Sequence, residues 1–352
     1  MGSKRKRGSK DDRESNRKKA KSPKADSENK PTVAPHIQKA SFADVPTRDE
    51  RKREGLLYDR LGSDIESDRL SAADQIISAL VDGEGVSEPV LLRHLERRLF
   101  SGIASGRNAS RVGFSLVITE LVSQLFGEPN LAGSRYVGVS FDQLLDMLVE
   151  KTSPEGSLAG QQERDHYIGQ LFGLEAFVRS NVLFEKTDRW NKVLELLLSL
   201  AKSKMWLRSQ CGYMITQAMS HLPKAEVQKT LKSVAKSGQA KSPEGVAIWL
   251  VALRLFPDLR EEPWQHPLSK KSLADLVLVL KESFQETGTG ADGDPVKTKS
   301  LTLWTAQLHF VWDALAAFYG EEQTSGAVDF GTFWTRIIDG MFLVSSNHMD
   351  SS

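Results

Sequence analysis

The 352-residue sequence has a formal net charge of only +1, with 39% hydrophobic and 26% charged residues, a composition that allows a sizeable core. Its single cysteine, Cys211, excludes a disulfide framework and a zinc site built on several thiolates. The N-terminus is charged, so we predict no secretory signal. The sequence contains no apolar run of about 18 residues, so we also predict no membrane span. We therefore expect a soluble intracellular protein, with either two globular domains or one elongated array.

Residues 1–48 form a basic segment without hydrophobic periodicity. They carry 14 Lys or Arg and 6 Asp or Glu, a net charge of +8, whereas the other 304 residues carry a net charge of −7. Such a segment cannot bury enough apolar area to offset the entropy of ordering it, so we predict a disordered tail. Its positive charge indicates an anionic partner.

Two basic clusters within this tail have the spacing of a bipartite nuclear-import signal. Nine residues separate them, and two such clusters can fill two acidic grooves on an import carrier. A solvated, solubilising tail is the alternative interpretation. The residues predicted to contact the carrier or another anion are Lys4, Arg5, Lys6, Arg7, Arg17, Lys18, Lys19 and Lys21.

From residue 49 onward, apolar residues recur with helical period, and the pattern predicts about thirteen helices. Ser242 followed by Pro243 indicates a helix start, with an N-cap and a proline in the first turn. Only residues 136–139 resemble a strand, and they are too few to build a sheet. After three helices between residues 56 and 100, the predicted helices are 107–126, 141–149, 161–184, 190–200, 206–222, 225–235, 242–255, 272–284, 301–319 and 330–343.

These helices recur about every twenty residues, or forty residues per pair, which is typical of HEAT and armadillo repeats. We therefore predict an all-α fold, with an armadillo-like α-solenoid over residues 49–352 in which helix pairs stack on their neighbours. A compact all-α globule is the alternative. Residues 287–299 predict an exposed flexible loop between two helices, and we expect Trp206 and Trp249 to anchor the core.

The sequence predicts no catalytic, cofactor or metal site. The loop 288–294 contains a formal G-x-G-x-x-G pattern, but a dinucleotide site needs a strand before it. A D-x-D pair in the same loop lacks the rigid setting and third ligand that a magnesium site requires. The seven histidines have no metal-ligand spacing, and Cys211 lies in a predicted helix as a small buried hydrophobe.

Five arginines form a predicted contact surface for a nucleic acid or an acidic partner. They lie on one predicted helix and at the start of the next, and residues four apart share a helix face. A ridge of this kind could contact phosphates, whereas the alternative is pairing with local acids such as Glu96 and Glu120. The five residues are Arg93, Arg97, Arg98, Arg107 and Arg111.

Four sequence blocks, in this order, carry a family resemblance. They read HLERRLFSGIASGRNASRVGFSLVITELVSQL at 94–125, GQLFGLEAFVRSNVLF at 169–184, LLLSLAKSKMWLRSQCGYMITQ at 196–217 and SPEGVAIWLVAL at 242–253. Together they resemble the Myb-binding protein 1A family, also named DNA polymerase phi or, in yeast, DNA polymerase V. The resemblance covers roughly residues 56–255 and fits the N-terminal portion of a fungal-type member, because family chains are much longer.

The resemblance implies a protein of the nucleus and nucleolus that associates with ribosomal DNA chromatin. It implies support of rRNA transcription and ribosome biogenesis as a transcriptional co-regulator. The implied partners are ribosomal DNA chromatin, nucleolar proteins and a nuclear-import carrier, with no membrane and no small-molecule substrate.

The polymerase name suggests an alternative, a template-dependent DNA polymerase. The Y-x-D-T-D-S and S-L-Y-P-S motifs that would hold its two metals are absent from the sequence, and no sheet is predicted to place the carboxylates. We therefore interpret the chain as a helical scaffold rather than an enzyme. A generic nuclear adaptor solenoid is the remaining alternative.

Overall fold

The computed structural model describes residues 41–346, apart from 155, 157, 159, 284–307 and 322–325. Every regular element in these ranges is helical and none is a strand, which confirms the predicted all-α class. The predicted tail up to residue 40 and the predicted loop 287–299 lie outside the described residues. The α-helices are α1 (Arg48–Leu61), α2 (Glu66–Val81), α3 (Glu88–His94), α4 (Ser101–Ile103), α5 (Asn108–Phe126), α6 (Leu131–Ser134), α7 (Phe141–Thr152), α8 (Gln161–Arg179), α9 (Thr187–Ser203), α10 (Arg208–Met219), α11 (Lys224–Lys236), α12 (Pro243–Leu255), α13 (Leu273–Glu282), α14 (Val311–Gly320) and α15 (Phe330–Ser346).

The helices pack mainly against neighbours along the chain. In one row, α2, α5, α8, α10, α12 and α14 each contact the next member. The helices α7, α9, α11 and α13 flank this row, and each packs against one or two of its members. Because each helix buries its apolar side against its neighbours, the core extends along the row instead of surrounding one centre.

The helix α12 lies within this row and is buried on nearly all sides, as expected of a helix surrounded by others. Its Trp249 has no exposed surface, which confirms the predicted core position. Trp206 is only half-buried, so the prediction of a core anchor is wrong there. A short 3-10 turn, Met205–Leu207, directs Leu207 into the core, while the Arg164 guanidinium lies 4.6 Å from the Trp206 ring centre.

Helix ends follow the sequence signals in part. The Ser242 hydroxyl accepts a hydrogen bond from the Gly245 N–H at 3.1 Å, so the predicted N-cap is confirmed. The helix α8 ends at Arg179 and not at residue 184, because Asn181 adopts a left-handed φ of 62° that a right-handed helix cannot continue. Residues 136–139 form no strand.

The segment 41–47 packs on the helices, although the sequence analysis placed it in the tail. Phe42 is 4% exposed, and its ring stacks on His94 with 4.3 Å between ring centres. Thr47 then begins α1 with a reciprocal capping box to Glu50. The packed region therefore includes Phe42 and begins before the predicted boundary at 49, because this one buried aromatic ring anchors an otherwise polar segment.

Candidate anion-binding groove

The structure separates the five predicted arginines by exposure, and Arg111 is buried. Its guanidinium lies 2.6 Å from Asp165 Oδ1 of α8 and donates to Asn108 Oδ1 at 2.7 Å. This ion pair joins the first turn of α5 to α8, and a partner could reach it only if the helices separated. Arg111 therefore does not belong to an exposed ridge, which corrects the predicted set.

Arg93 is engaged in a second internal contact. Its guanidinium donates to the backbone carbonyls of Asp44 and Ala43, at 2.8 and 3.1 Å. The Ser87 hydroxyl donates to Asp44 Oδ1 at 2.6 Å. These bonds hold the segment 41–47 against α3. Arg93 therefore forms intramolecular contacts, but its partners are backbone carbonyls and not acidic side chains such as Glu96 or Glu120.

Arg97, Arg98 and Arg107 are exposed and line one groove of about 1020 Å³. Lys151, from the last turn of α7, adds a fourth cation. Among the described residues that line the groove, the only carboxylate is Asp59, whereas four residues carry a positive charge. The remaining lining residues are Tyr58, Gly62, Ser101, Gly102, Ala104, Ser105, Ser110, Phe114, Ser153, Leu158 and His166.

A π-helical segment, Leu95–Phe100, lies between α3 and α4 and shapes this groove. Within it, Leu99 and Phe100 are fully buried, whereas Arg97 and Arg98 are both exposed. The wider π turn allows two adjacent arginines to face outward while the apolar residues around them remain in the core. Segments of this kind are rare and are frequent at functional sites.

Two glycines allow the groove walls to approach α5 closely. A Cβ atom on Gly102 would lie 2.5 Å from the Phe114 ring, and one on Gly62 would lie 2.7 Å from Ser110 Oγ. The Tyr58 and Phe114 rings stack with 6.2 Å between their centres. The groove therefore has cationic walls and an aromatic pair among its lining.

Ion pairs at the rim engage two of the four groove cations. Lys151 Nζ lies 3.0 Å from both Glu96 Oε1 and Glu150 Oε1, and these hydrogen bonds raise the lysine pKa. Arg107 lies 3.4 Å from Asp64, with side chains 59% and 84% exposed. An exposed pair such as Arg107–Asp64 contributes about 0–1 kcal/mol, so a phosphate could replace Asp64 at little cost. The Lys151 side chain is only 24% exposed and is held by two carboxylates.

A buried stack supports the groove from behind. His94 Nδ1 lies 2.9 Å from the Tyr58 hydroxyl oxygen, and its ring packs on Phe42. Burial, reinforced by the charges of Arg93 and Arg98, lowers the pKa of His94 to about 4. The imidazole is therefore neutral at physiological pH and acts as a packing group.

A second buried polar cluster links α10, α12 and His309, which lies shortly before α14. Glu244 lies 2.9 Å from Arg208 Nε and 3.2 Å from His309 Nε2. Burial alone would raise the pKa of Glu244, but the His309 hydrogen bond and the Arg208 charge lower it to about 2. Burial raises the pKa of the neighbouring Cys211 to about 12, so this thiol is a poor nucleophile.

The remaining sequence predictions concern metal sites, membrane spans and nuclear-import clusters. In the described portion of the chain, no group of His, Cys, Asp and Glu is arranged to hold a metal ion. No helix there combines the length and apolar character that a membrane span requires. The import clusters at residues 4–7 and 17–21 lie outside the described residues and stay a prediction.

Sequence reasoning missed Lys151 and His166 as groove residues. They lie on α7 and α8, far along the chain from Arg97, and only tertiary packing brings them to the groove. No local pattern marks either residue. A lysine in the last turn of an amphipathic helix more often has a favourable interaction with the helix dipole than a binding role.

The chain matches the profile of the family described as DNA polymerase phi over residues 94–352. It is 30% identical over 310 residues to the rDNA transcriptional regulator pol5 of Schizosaccharomyces pombe, covering 83% of this chain and 29% of that protein. It is 26% identical over 334 residues to the rDNA transcriptional regulator POL5 of Saccharomyces cerevisiae, covering 81% and 32%. Mouse Myb-binding protein 1A is 24% identical over 218 residues, covering 60% and 15%. No solved structure matches the chain.

Proposed function

Because this chain belongs to the DNA polymerase phi family, we propose that it regulates transcription of ribosomal DNA as a non-enzymatic helical scaffold. The observation that carries the proposal is the match, over more than four fifths of this chain, to two yeast proteins named rDNA transcriptional regulators. The chain spans about three tenths of the length of those proteins. It therefore corresponds to one part of such a regulator.

The packing of helix against neighbouring helix supports a repeat scaffold of HEAT or armadillo type. In our proposal this scaffold comprises residues 49–352 together with the packed residues 41–48. Stacked helix pairs present long surfaces to partners, and such binding requires no reactive group. The scaffold would hold nucleolar proteins near ribosomal genes, as a transcriptional co-regulator, and so support ribosome biogenesis.

Two basic features support association with ribosomal DNA chromatin. One is the groove lined by Arg97, Arg98, Arg107 and Lys151. The other is the sequence 1–48, with its net charge of +8. Contacts from lysine and arginine to phosphates supply affinity that does not depend on base sequence. We therefore assign the choice of ribosomal genes to bound protein partners, and assign general DNA affinity to these cations.

Regulation of ribosomal genes requires the protein in the nucleus and, specifically, in the nucleolus. The two basic clusters at residues 4–7 and 17–21 have the spacing that an import carrier recognises. In our proposal they deliver the protein to the nucleus. Association with ribosomal DNA and nucleolar proteins then retains it in the nucleolus.

The test is chromatin immunoprecipitation of the epitope-tagged protein, expressed from its own locus, combined with pulse labelling of pre-rRNA after depletion. We expect enrichment across the ribosomal DNA repeat relative to a gene transcribed by RNA polymerase II, and a fall in newly labelled pre-rRNA. Absence of enrichment would contradict the proposal. Normal pre-rRNA synthesis with defective later processing would also contradict it and would indicate a role in ribosome assembly alone.

A further inference from the structure

We propose that the groove lined by Arg97, Arg98, Arg107 and Lys151 binds consecutive phosphates of a DNA backbone. This inference rests on the proposed association with ribosomal DNA, and it assigns the contact to particular residues. It also removes Arg93 and Arg111 from the contact surface, because both are held by groups within the protein.

The cations of the groove have donors to spare. The Arg97 side chain forms no ion pair or hydrogen bond with another described residue, so its planar fork is available for a phosphate. The Arg98 guanidinium lies 5.7 Å from the centre of the Tyr58 ring, a contact that leaves its N–H groups free at the edges. Two adjacent arginines with uncommitted donors are an expected arrangement for binding phosphate oxygens in pairs.

Neutral donors occur beside the cations. Ser105 Oγ accepts a hydrogen bond from the Arg107 N–H at 3.2 Å, which leaves the serine O–H free to donate to a phosphate oxygen. His166 also lines the groove, although its Nδ1 is buried and therefore not accessible to a ligand there.

The arrangement of the unpaired cations favours a polyanion over a single small anion. Asp64, Glu96 and Glu150 pair with Arg107 and Lys151, so the positive charge available to a partner is mainly that of the adjacent Arg97 and Arg98. A phosphate backbone repeats its charge at regular intervals, so it can contact Arg97, Arg98 and Arg107 in succession, whereas one small anion cannot.

The experiment measures binding of a fluorescein-labelled 20-base-pair duplex from the ribosomal DNA promoter, by fluorescence anisotropy, across a salt series. The background is the full chain with its eight cluster cations at residues 4–7 and 17–21 replaced by Gln, so that the groove contribution is visible. The groove variant adds Arg97→Gln and Arg98→Gln. The matched control adds Arg179→Gln and Lys232→Gln. These two side chains are 71% and 65% exposed, and neither lines the groove.

We expect the groove variant to bind the duplex about tenfold or more weakly at 0.1 M salt, since each lost contact removes about 0.9 from the slope of log K against log salt. The control should retain the slope and the affinity of its background. Circular dichroism and thermal unfolding check that both variants fold alike. If they do not, Arg97→Glu alone replaces the double change, because Arg97 has no partner in the described structure.

Equal affinity and equal slope in the groove variant and its background would overturn the proposal. Displacement of the duplex by a poly-glutamate peptide at the same charge concentration would also overturn it, in favour of an acidic protein partner. Displacement by inorganic phosphate at low millimolar concentration would overturn it in favour of a small-anion site.

Chromatin immunoprecipitation of Arg97→Gln with Arg98→Gln in the full chain, with the basic clusters at residues 4–7 and 17–21 left intact, separates this inference from the proposed function. If the variant loses duplex binding but keeps its enrichment on ribosomal DNA, the proposed function holds through protein contacts. In that case the groove is not the means of chromatin association. Loss of both would support the two together.

Discussion

Individual side chains decide which of the predicted arginines can meet a partner. All five arginines have the same charge, yet Arg111 is buried against Asp165 and Arg93 holds two backbone carbonyls. Arg97, Arg98 and Arg107 remain exposed at one groove. Spacing along a helix could place them on a common ridge, but it could not show which acceptors lie opposite, because Asp165 and the 43–44 carbonyls come from distant parts of the chain.

The substitution Arg111→Ala should destabilise the fold strongly, because it leaves the Asp165 carboxylate buried without its cation. Removing one partner of a buried ion pair typically costs about 3–5 kcal/mol. Urea unfolding followed by circular dichroism measures the change. Arg107→Ala is the control, and its exposed pair with Asp64 predicts a loss of about 0–1 kcal/mol. Similar losses in both variants would show that Arg111 is not a structural residue.

His94 should make the free energy of unfolding depend on pH between 6.5 and 4. Its pKa is lowered in the folded state, from 6.5 to about 4, mainly by burial. The unfolded chain therefore binds the proton first as the pH falls. The stability that is present above pH 6.5 should decline by roughly 3 kcal/mol as the pH approaches 4.

The measurement is urea unfolding at several pH values for the protein and for His94→Gln. The glutamine variant should be less stable at pH 7 but should lose the decline between pH 6.5 and 4. His221→Gln is the control, because His221 is exposed, and it should keep the decline. An unchanged slope in His94→Gln would show that other groups cause the acid sensitivity.

At the level of helices, the sequence predicted most of the elements but not their irregularities. Hydrophobic period and the Ser242 cap located α12 closely, because both signals are local. The π turn at Leu95–Phe100 and the early end of α8 were missed. A π turn depends on how Leu99 and Phe100 fit the neighbouring helices, and no local pattern encodes that fit.

Close packing of α5 on the end of α1 yields a prediction for Gly113. A Cβ atom there would lie 2.0 Å from the Leu61 carbonyl oxygen, a backbone atom that cannot move aside. Gly113→Ala should therefore cost about 1–3 kcal/mol or more through overpacking. A shift of α5 would also disturb the groove, so duplex binding should weaken together with stability.

The matched control is Gly55→Ala, in the interior of α1, where a Cβ atom would meet nothing within 4 Å. Alanine should stabilise that helix by about 0.5–1 kcal/mol, because glycine loses more conformational freedom on folding. Thermal unfolding of both variants should give shifts of opposite sign. A stabilising shift in Gly113→Ala would contradict the described contact between α5 and α1.

For the chain as a unit, the all-α class could be predicted from period and composition, and the family from four sequence blocks. The groove could not, because its lining comes from α1, the π segment, α4, α5, α7 and α8. Phe42 shows the same limit, since one aromatic ring in a polar segment has no periodicity to mark it, yet it is buried against His94. The difference in net charge between residues 1–48 and the rest of the chain can be read from the sequence directly, because it does not depend on packing.

That asymmetry leads to a prediction for the basic clusters at residues 4–7 and 17–21. Replacing their eight cations by Gln lowers the net charge of residues 1–48 from +8 to zero. The fluorescently tagged full chain should then lose nuclear accumulation, because the carrier no longer finds two basic clusters. A control with Lys202, Lys229, Lys232 and Lys236 replaced by Gln, all exposed on the helices, should remain nuclear.

A heterologous import signal fused to the neutralised chain separates delivery from DNA contact. If nuclear entry and enrichment on ribosomal DNA both return, the clusters serve import, and the groove with its protein partners accounts for chromatin association. If entry returns without enrichment, the clusters also contribute phosphate contacts, as expected of cations whose affinity does not depend on base sequence. Unchanged nuclear accumulation after neutralisation would show that the bipartite interpretation is wrong and that the tail is a solvated segment.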